Sequence, residues 1–159
     1  KKIYNKNQVT EENKNNIKFT SKIHRAELEL TKIIMHADLQ SRKNLKKIIS
    51  LNLITHEFLS RIISKLYSDQ QFETSKLIEN FPDKIERELI SKLLIDDKSN
   101  ESTEQIVIDC LRTLKSVPIK NEINNLRDII KKKESAGENS NKELKDIMIL
   151  QNELNQIEK

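Results

Sequence analysis

Glu134-Ser-Ala-Gly-Glu-Asn-Ser140 decides the fold, because it holds the only glycine of the 159-residue chain between two amphipathic stretches. A lone glycine where a helix must reverse marks residues 118–158 as a helical hairpin. Ser140 and Glu143 match the S-x-x-E pattern and predict a capping box at the start of the second arm. Ile119, Ile123, Leu126 and Ile130 recur at spacings of three and four, as do Ile147, Leu150, Leu154 and Ile157. The two seams are expected to face each other. Ile129, Leu144, Met148 and Ile149 lie wholly or partly outside them. Ile149 falls about 200° around the helix from Ile147, at roughly 100° per residue. Two thin helices bury little apolar surface, so the hairpin is expected to lean on a partner through these four side chains.

Upstream, the same periodicity repeats. Residues 1–19 are rich in Asn and Lys and read as a linker or lead-in. Thr20 or Ser21 is a candidate cap for a helix over 22–36, striped by Ile23, Ala26, Leu30, Ile33, Ile34 and Ala37. Leu39, Leu45, Ile48 and Ile49 carry the pattern through 39–50. Thr55 is the expected cap of a helix with Phe58, Leu59, Ile62, Ile63 and Leu66 on its face. Leu77, Ile78 and Phe81 mark a short helix. Pro82 suits the first turn of the next one, which carries Ile85, Leu89, Leu93 and Leu94. After a polar break at 96–102, Ser102 and Gln105 form a second capping-box match. Ile106, Cys110, Leu111, Leu114 and Val117 stripe the helix that follows. Pro118 is expected to end or kink it, since proline inside a helix removes a hydrogen bond and clashes, at about 3 kcal/mol. The organisation predicted is all-α: a lead-in at 1–19, a helical bundle at 20–117 and a helical hairpin at 118–159. The absence of an initiator Met suggests a piece of a longer protein.

Composition excludes several functions. A single glycine leaves no phosphate-cradling loop and no dinucleotide fingerprint, so no cofactor or small molecule is expected. His56-Glu57-Phe58-Leu59-Ser60 starts like a zinc-protease helix, but the second His is missing, and His24 and His36 share no ligand spacing with it. The histidines read as surface or helix-end residues, and no metal or catalytic residue is assigned. Cys110 lies on an apolar stripe and reads as a small buried hydrophobe. It is the only cysteine, so there is no disulfide framework, and no apolar run is long enough for a membrane span. With no signal peptide visible, a cytoplasmic setting is the expectation.

The net charge of +4 is uneven: +8 over residues 1–65, −4 over 66–117 and zero over 118–159. Arg42, Lys43, Lys46 and Lys47 form a basic patch able to touch nucleic acid weakly through phosphates. No aromatic accompanies it in sequence, which favours a solvated helix face. Asp96 and Asp97 read as a solvated loop. Lys131, Lys132 and Lys133 complement the dipole at the end of the first hairpin arm.

Three further runs then bear on family. His24-Arg-Ala-Glu-Leu-Glu-Leu-Thr-Lys-Ile-Ile-Met-His36 resembles the opening helix of the C-terminal domain of bacterial DnaG-type primases. Glu86-Arg-Glu-Leu-Ile-Ser-Lys-Leu-Leu94 resembles a later helix, and Ile108-Asp-Cys-Leu-Arg-Thr-Leu-Lys115 the one leading into the terminal hairpin. With the two closing arms, the resemblance covers about residues 20–158 by order and pattern. It implies a helical bundle followed by a hairpin, without primer-synthesising chemistry of its own. It also implies docking of a parent primase onto the N-terminal domains of the replicative DnaB-type helicase, with the hairpin as anchor and the bundle as modulator. Ile129, Leu144, Met148 and Ile149 are then the expected helicase contacts. Pro118 departs from the charged residues expected at the junction and predicts a flexible joint. The alternatives are a helical nucleic-acid-binding module and a self-associating scaffold.

Overall fold

The structure, a computed structural model, describes residues 17–68, 73–96 and 103–159. Among them the order is α1 (Lys22–His36), α2 (Leu39–Ile48), a 3-10 turn (Leu51–Leu53), α3 (Glu57–Ser68), a 3-10 segment (Thr74–Asn80), α4 (Lys84–Ile95), α5 (Thr103–Ser135) and α6 (Asn141–Glu158). The described residues contain helices and no strand, so the fold is all-α. Residues 1–16, most of the expected lead-in, lie outside the described residues, as do Asp97 and Ser102. The chain divides into two compact units, Lys1–Asn100 and Glu101–Lys159.

In the first unit, α1 packs on α3 and α4, and the Thr74–Asn80 segment closes against α3 and α4. Leu30 and Ile34 from α1, Leu59, Ile62, Ile63 and Leu66 from α3, and Ile49, Leu77 and Ile90 from the rest are buried almost completely. These are the positions that helical spacing selected, with one difference. On α4 the deepest residue is Ile90, whereas Leu89 is only half-buried.

Capping explains where the helices begin. The Ser21 hydroxyl accepts from the His24 N–H at 3.0 Å, and an Asp38 carboxylate oxygen accepts from Ser41 N–H at 2.7 Å. Asp83, not Pro82, sets the start of α4, accepting from the N–H groups of Ile85 and Glu86. Thr55 is not the cap of α3. Its N–H and hydroxyl donate to the carboxylate of Glu27 on α1, at 2.6 and 2.8 Å, and His56 N–H donates to the same group at 3.1 Å. The start of α3 is thus satisfied from another helix. Ion pairs finish the unit: Lys32 meets Asp96 at 2.9 Å, and Arg61 holds both oxygens of Glu86.

In the second unit, α5 is one helix of 33 residues, about 50 Å long at 1.5 Å per residue. It runs through Pro118 without ending, so of the two outcomes expected there, an end or a kink, the helix does not end; the two units divide between residues 100 and 101. Proline has no N–H to offer the Leu114 carbonyl. The turns on either side remain helical.

α5 terminates in a Schellman motif. Glu138 N–H donates to Lys133 O at 2.8 Å, Gly137 N–H donates to Glu134 O at 3.1 Å, and Gly137 has φ +72°. That left-handed backbone is what the single glycine supplies. The capping box is absent at the start of α6: the Ser140 side chain makes no capping bond. Asn139 Oδ1 accepts from Asn141 N–H at 2.8 Å in its place, and Glu143 is drawn across the turn to Lys133.

Candidate functional site

The hairpin is built from α6 packed antiparallel on the C-terminal part of α5. Ile123, Leu126, Ile130 and Leu154 are buried in the seam, with Ile119, Ile147, Leu150 and Ile157 half-buried beside them. The two arms interdigitate through the predicted positions. Lys133 pairs with Glu143 near the turn, and Lys120 pairs with Glu158 at 3.0 Å near the far end. The Lys133 ammonium, donating to Glu143, holds that carboxyl below its ordinary range.

These two pairs mark the register of the arms, which places Ile129 level with Met148 and Ile149. Ile129, Leu144, Met148 and Ile149 are all exposed, Met148 at 66 % and Ile149 at 58 %. They do not form one patch. At about 100° per residue, Leu144 and Met148 turn to one side of the seam and Ile149 to the other. Because the arms are antiparallel, Ile129 on α5 turns to the same side as Ile149. The hairpin therefore has two apolar faces, one with Ile129 and Ile149, the other with Leu144 and Met148. A cleft of about 580 Å³ within the same unit is lined by Ile108, Leu111, Arg112, Lys115, Glu153, Gln156 and Ile157.

The chain matches no protein-family model, no curated protein and no solved structure among those it was compared with.

The other sequence candidates sort by environment. Cys110 is buried, as expected. Asp96 is an exposed residue just past α4, as expected, and it also pairs with Lys32, whose ammonium pulls its carboxyl below the usual range. Lys133 bridges the hairpin, beyond any complement to the helix dipole. Among the described residues, no three His, Cys, Asp or Glu side chains gather as a metal site. None of the described helices is long and apolar enough to cross a membrane.

The basic patch changes character. Arg42 is turned inward, donating from Nη2 to Thr74 Oγ1 at 2.9 Å, and Thr74 Oγ1 donates to Met35 O. Burial lowers its affinity for the proton. It ties α2 to the Thr74 segment and is not a surface cation. Lys43, Lys46 and Lys47 remain exposed. Tyr67, on α3, stands beside them. Its hydroxyl donates to Ile49 O at 3.0 Å, and burial pushes it up to about 12. Lys46 Nζ lies 5.8 Å from the Tyr67 ring centre and donates to Tyr67 O at 3.3 Å. Sequence reasoning missed this aromatic because it sits some 20 residues downstream, on a different helix.

A second cluster also escaped it. The His56 ring lies with its centre 4.9 Å from those of both Phe19 and His24, and 6.5 Å from that of Phe58. Its Nδ1 is buried without a hydrogen-bond partner. Burial, reinforced by His24, pushes the His56 imidazole below its ordinary range. The spacing of His24 and His56 in sequence carries no trace of this contact.

Proposed function

We propose that this chain is the non-catalytic C-terminal domain of a bacterial DNA primase, docking its parent onto the replicative DnaB-type helicase and modulating it during replication. The parent would supply the primer-synthesising activity, and the domain would work in the cytoplasm at the fork. The observation that carries the reading is the pairing of Ile129 and Ile149. They are level with each other on one open face of a hairpin whose own seam is already filled. Exposed apolar side chains grouped in this way favour a helical partner surface. A stable interface buries roughly 800 Å² on each partner, and two arms of this length offer much of it. The order of the sequence runs around His24, Glu86 and Ile108, which resembles that of the primase domain, supports the choice of family.

The test is calorimetric titration of the chain into the cognate replicative helicase. Ile129→Asp and Ile149→Asp should each weaken binding at least tenfold while the first unit keeps its helical signal. Binding that survives both substitutions would overturn the assignment of this face. Absence of any binding by the unaltered chain would overturn the helicase reading. Leu144→Asp with Met148→Asp probes the opposite face in the same titration, and light scattering reports whether that face joins two copies.

A further inference from the structure

Two adjoining clefts lie on the first unit. One, of about 440 Å³, is lined by Leu39, Gln40, Arg42, Lys43, Lys46, Lys47, Leu66 and Tyr67. The other, of about 560 Å³, shares Lys46, Lys47 and Tyr67 and adds small side chains, among them Ser50, Ser64 and Ser68. Together they form a trough along α2 and the end of α3. Its described lining residues include three exposed lysines, Lys43, Lys46 and Lys47, and several hydroxyls. Lys43 and Lys47 are exposed on α2, and Lys46 reaches the backbone and ring of Tyr67.

We propose that this trough binds the phosphate backbone of a single-stranded nucleic acid. Lys43 and Lys47 project from one face of α2, a turn apart, and reach solvent as point charges for successive phosphates. Tyr67 is held at both ends, by its hydroxyl on Ile49 O and by its carbonyl under Lys46. The ring edge and the exposed Leu39 give the trough an apolar wall beside the cations. Ammonium groups next to a ring in a recessed groove suit an unpaired strand, whose sugars and base faces can lie against that wall. A rigid duplex offers only its phosphates there. An acidic peptide would satisfy the charge but would make little use of the ring. The inference concerns residues 39–68 and stands apart from the hairpin's partner.

The experiment is fluorescence anisotropy of a labelled oligo-dT strand with the full chain, at about 50 and 200 mM salt. The unaltered chain should bind, and more weakly as salt rises. Lys43→Gln with Lys47→Gln should lower affinity about tenfold or more at low salt. It should also reduce the log–log salt slope by about 1.4, at roughly 0.7 per phosphate on a single strand. Lys131→Gln with Lys132→Gln removes the same charge from exposed positions of α5 and should leave the slope unchanged. Circular dichroism checks that both variants keep their helices. No binding at low salt, or equal losses in the two double variants, would overturn the proposal. Inorganic polyphosphate of equal charge competing as well as oligo-dT, or a duplex binding more tightly, would overturn the assignment to single strands.

Discussion

The carboxylate of Glu27, wholly buried on α1, takes hydrogen bonds from both the N–H and the hydroxyl of Thr55, two residues before α3 begins. With His56 N–H added, one side chain satisfies three donors at the positive end of α3. A buried charge is costly unless its lone pairs are used. Here they are used, and the bond between Thr31 Oγ1 and Glu27 O, at 2.7 Å, stiffens the same turn of α1. Glu27→Ala removes an acceptor from three groups at once. A hydrogen bond to a charged group is worth about 1.5–3 kcal/mol net, and water can reach the exposed Thr55, so the variant should lose about 1.5–3 kcal/mol. Glu27→Gln keeps the shape and should lose less. Urea unfolding followed by helical signal measures both. A loss under about 1 kcal/mol for Glu27→Ala would show that water replaces the carboxylate.

That contact also marks the limit of what sequence can supply. The hairpin was legible because Gly137 is alone and the seam residues repeat at helical spacing. The helix over 22–36 was legible because Ser21 precedes a clean stripe. Thr55 was misplaced because a hydroxyl before a helix fits a local cap equally well, and nothing along the chain points to Glu27. Arg42 was grouped with its lysine neighbours because sequence gives charge and not depth. The two-faced arrangement of Ile129, Ile149, Leu144 and Met148 depends on the register between the arms, which helical spacing within one arm does not contain. Pro118 carried a strong local penalty, and a long helix absorbed it.

The His56 cluster predicts a pH response. The imidazole is held below its ordinary value of 6.5 by burial and by His24. The unfolded chain therefore binds a proton more readily than the folded one as pH falls through 6.5. Stability contributed by neutral His56 is fully present above that value and is lost below it, down to the depressed value in the fold. Melting of the chain between pH 5 and 8 should show this decline. His56→Phe keeps a ring against Phe19 and Phe58 and removes the titration, so its curve should be flatter across the same range. An unchanged slope would place the proton elsewhere.

Gly137 gives a prediction free of packing effects. A Cβ added there meets nothing within 4 Å, yet φ is +72°. The cost of Gly137→Ala is then backbone strain alone, about 1–2 kcal/mol for an L-residue in that region. Gly137→Asn should cost less, because its short polar side chain tolerates left-handed backbone. The readout is thermal unfolding of the second unit. If alanine were as stable as glycine, the Schellman turn would have to open without loss.

Pro118 gives the opposite sign. A residue at 118 with an N–H would donate to the Leu114 carbonyl and remove the ring's clash with the preceding turn. Alanine outranks proline in a helix interior by about 3 kcal/mol, so Pro118→Ala should stabilise α5 by some part of that. Hydrogen exchange is the measure: the amide introduced at position 118 should be protected, and amides on either side should exchange more slowly than in the unaltered chain. Titration of the same variant into the helicase proposed above then separates two roles. If Pro118 positions Ile129 and Ile149 for that proposed partner, binding weakens although the helix is stronger. If affinity is unchanged, proline is only tolerated there. Faster exchange around position 118 would mean that the surrounding packing depends on the ring itself.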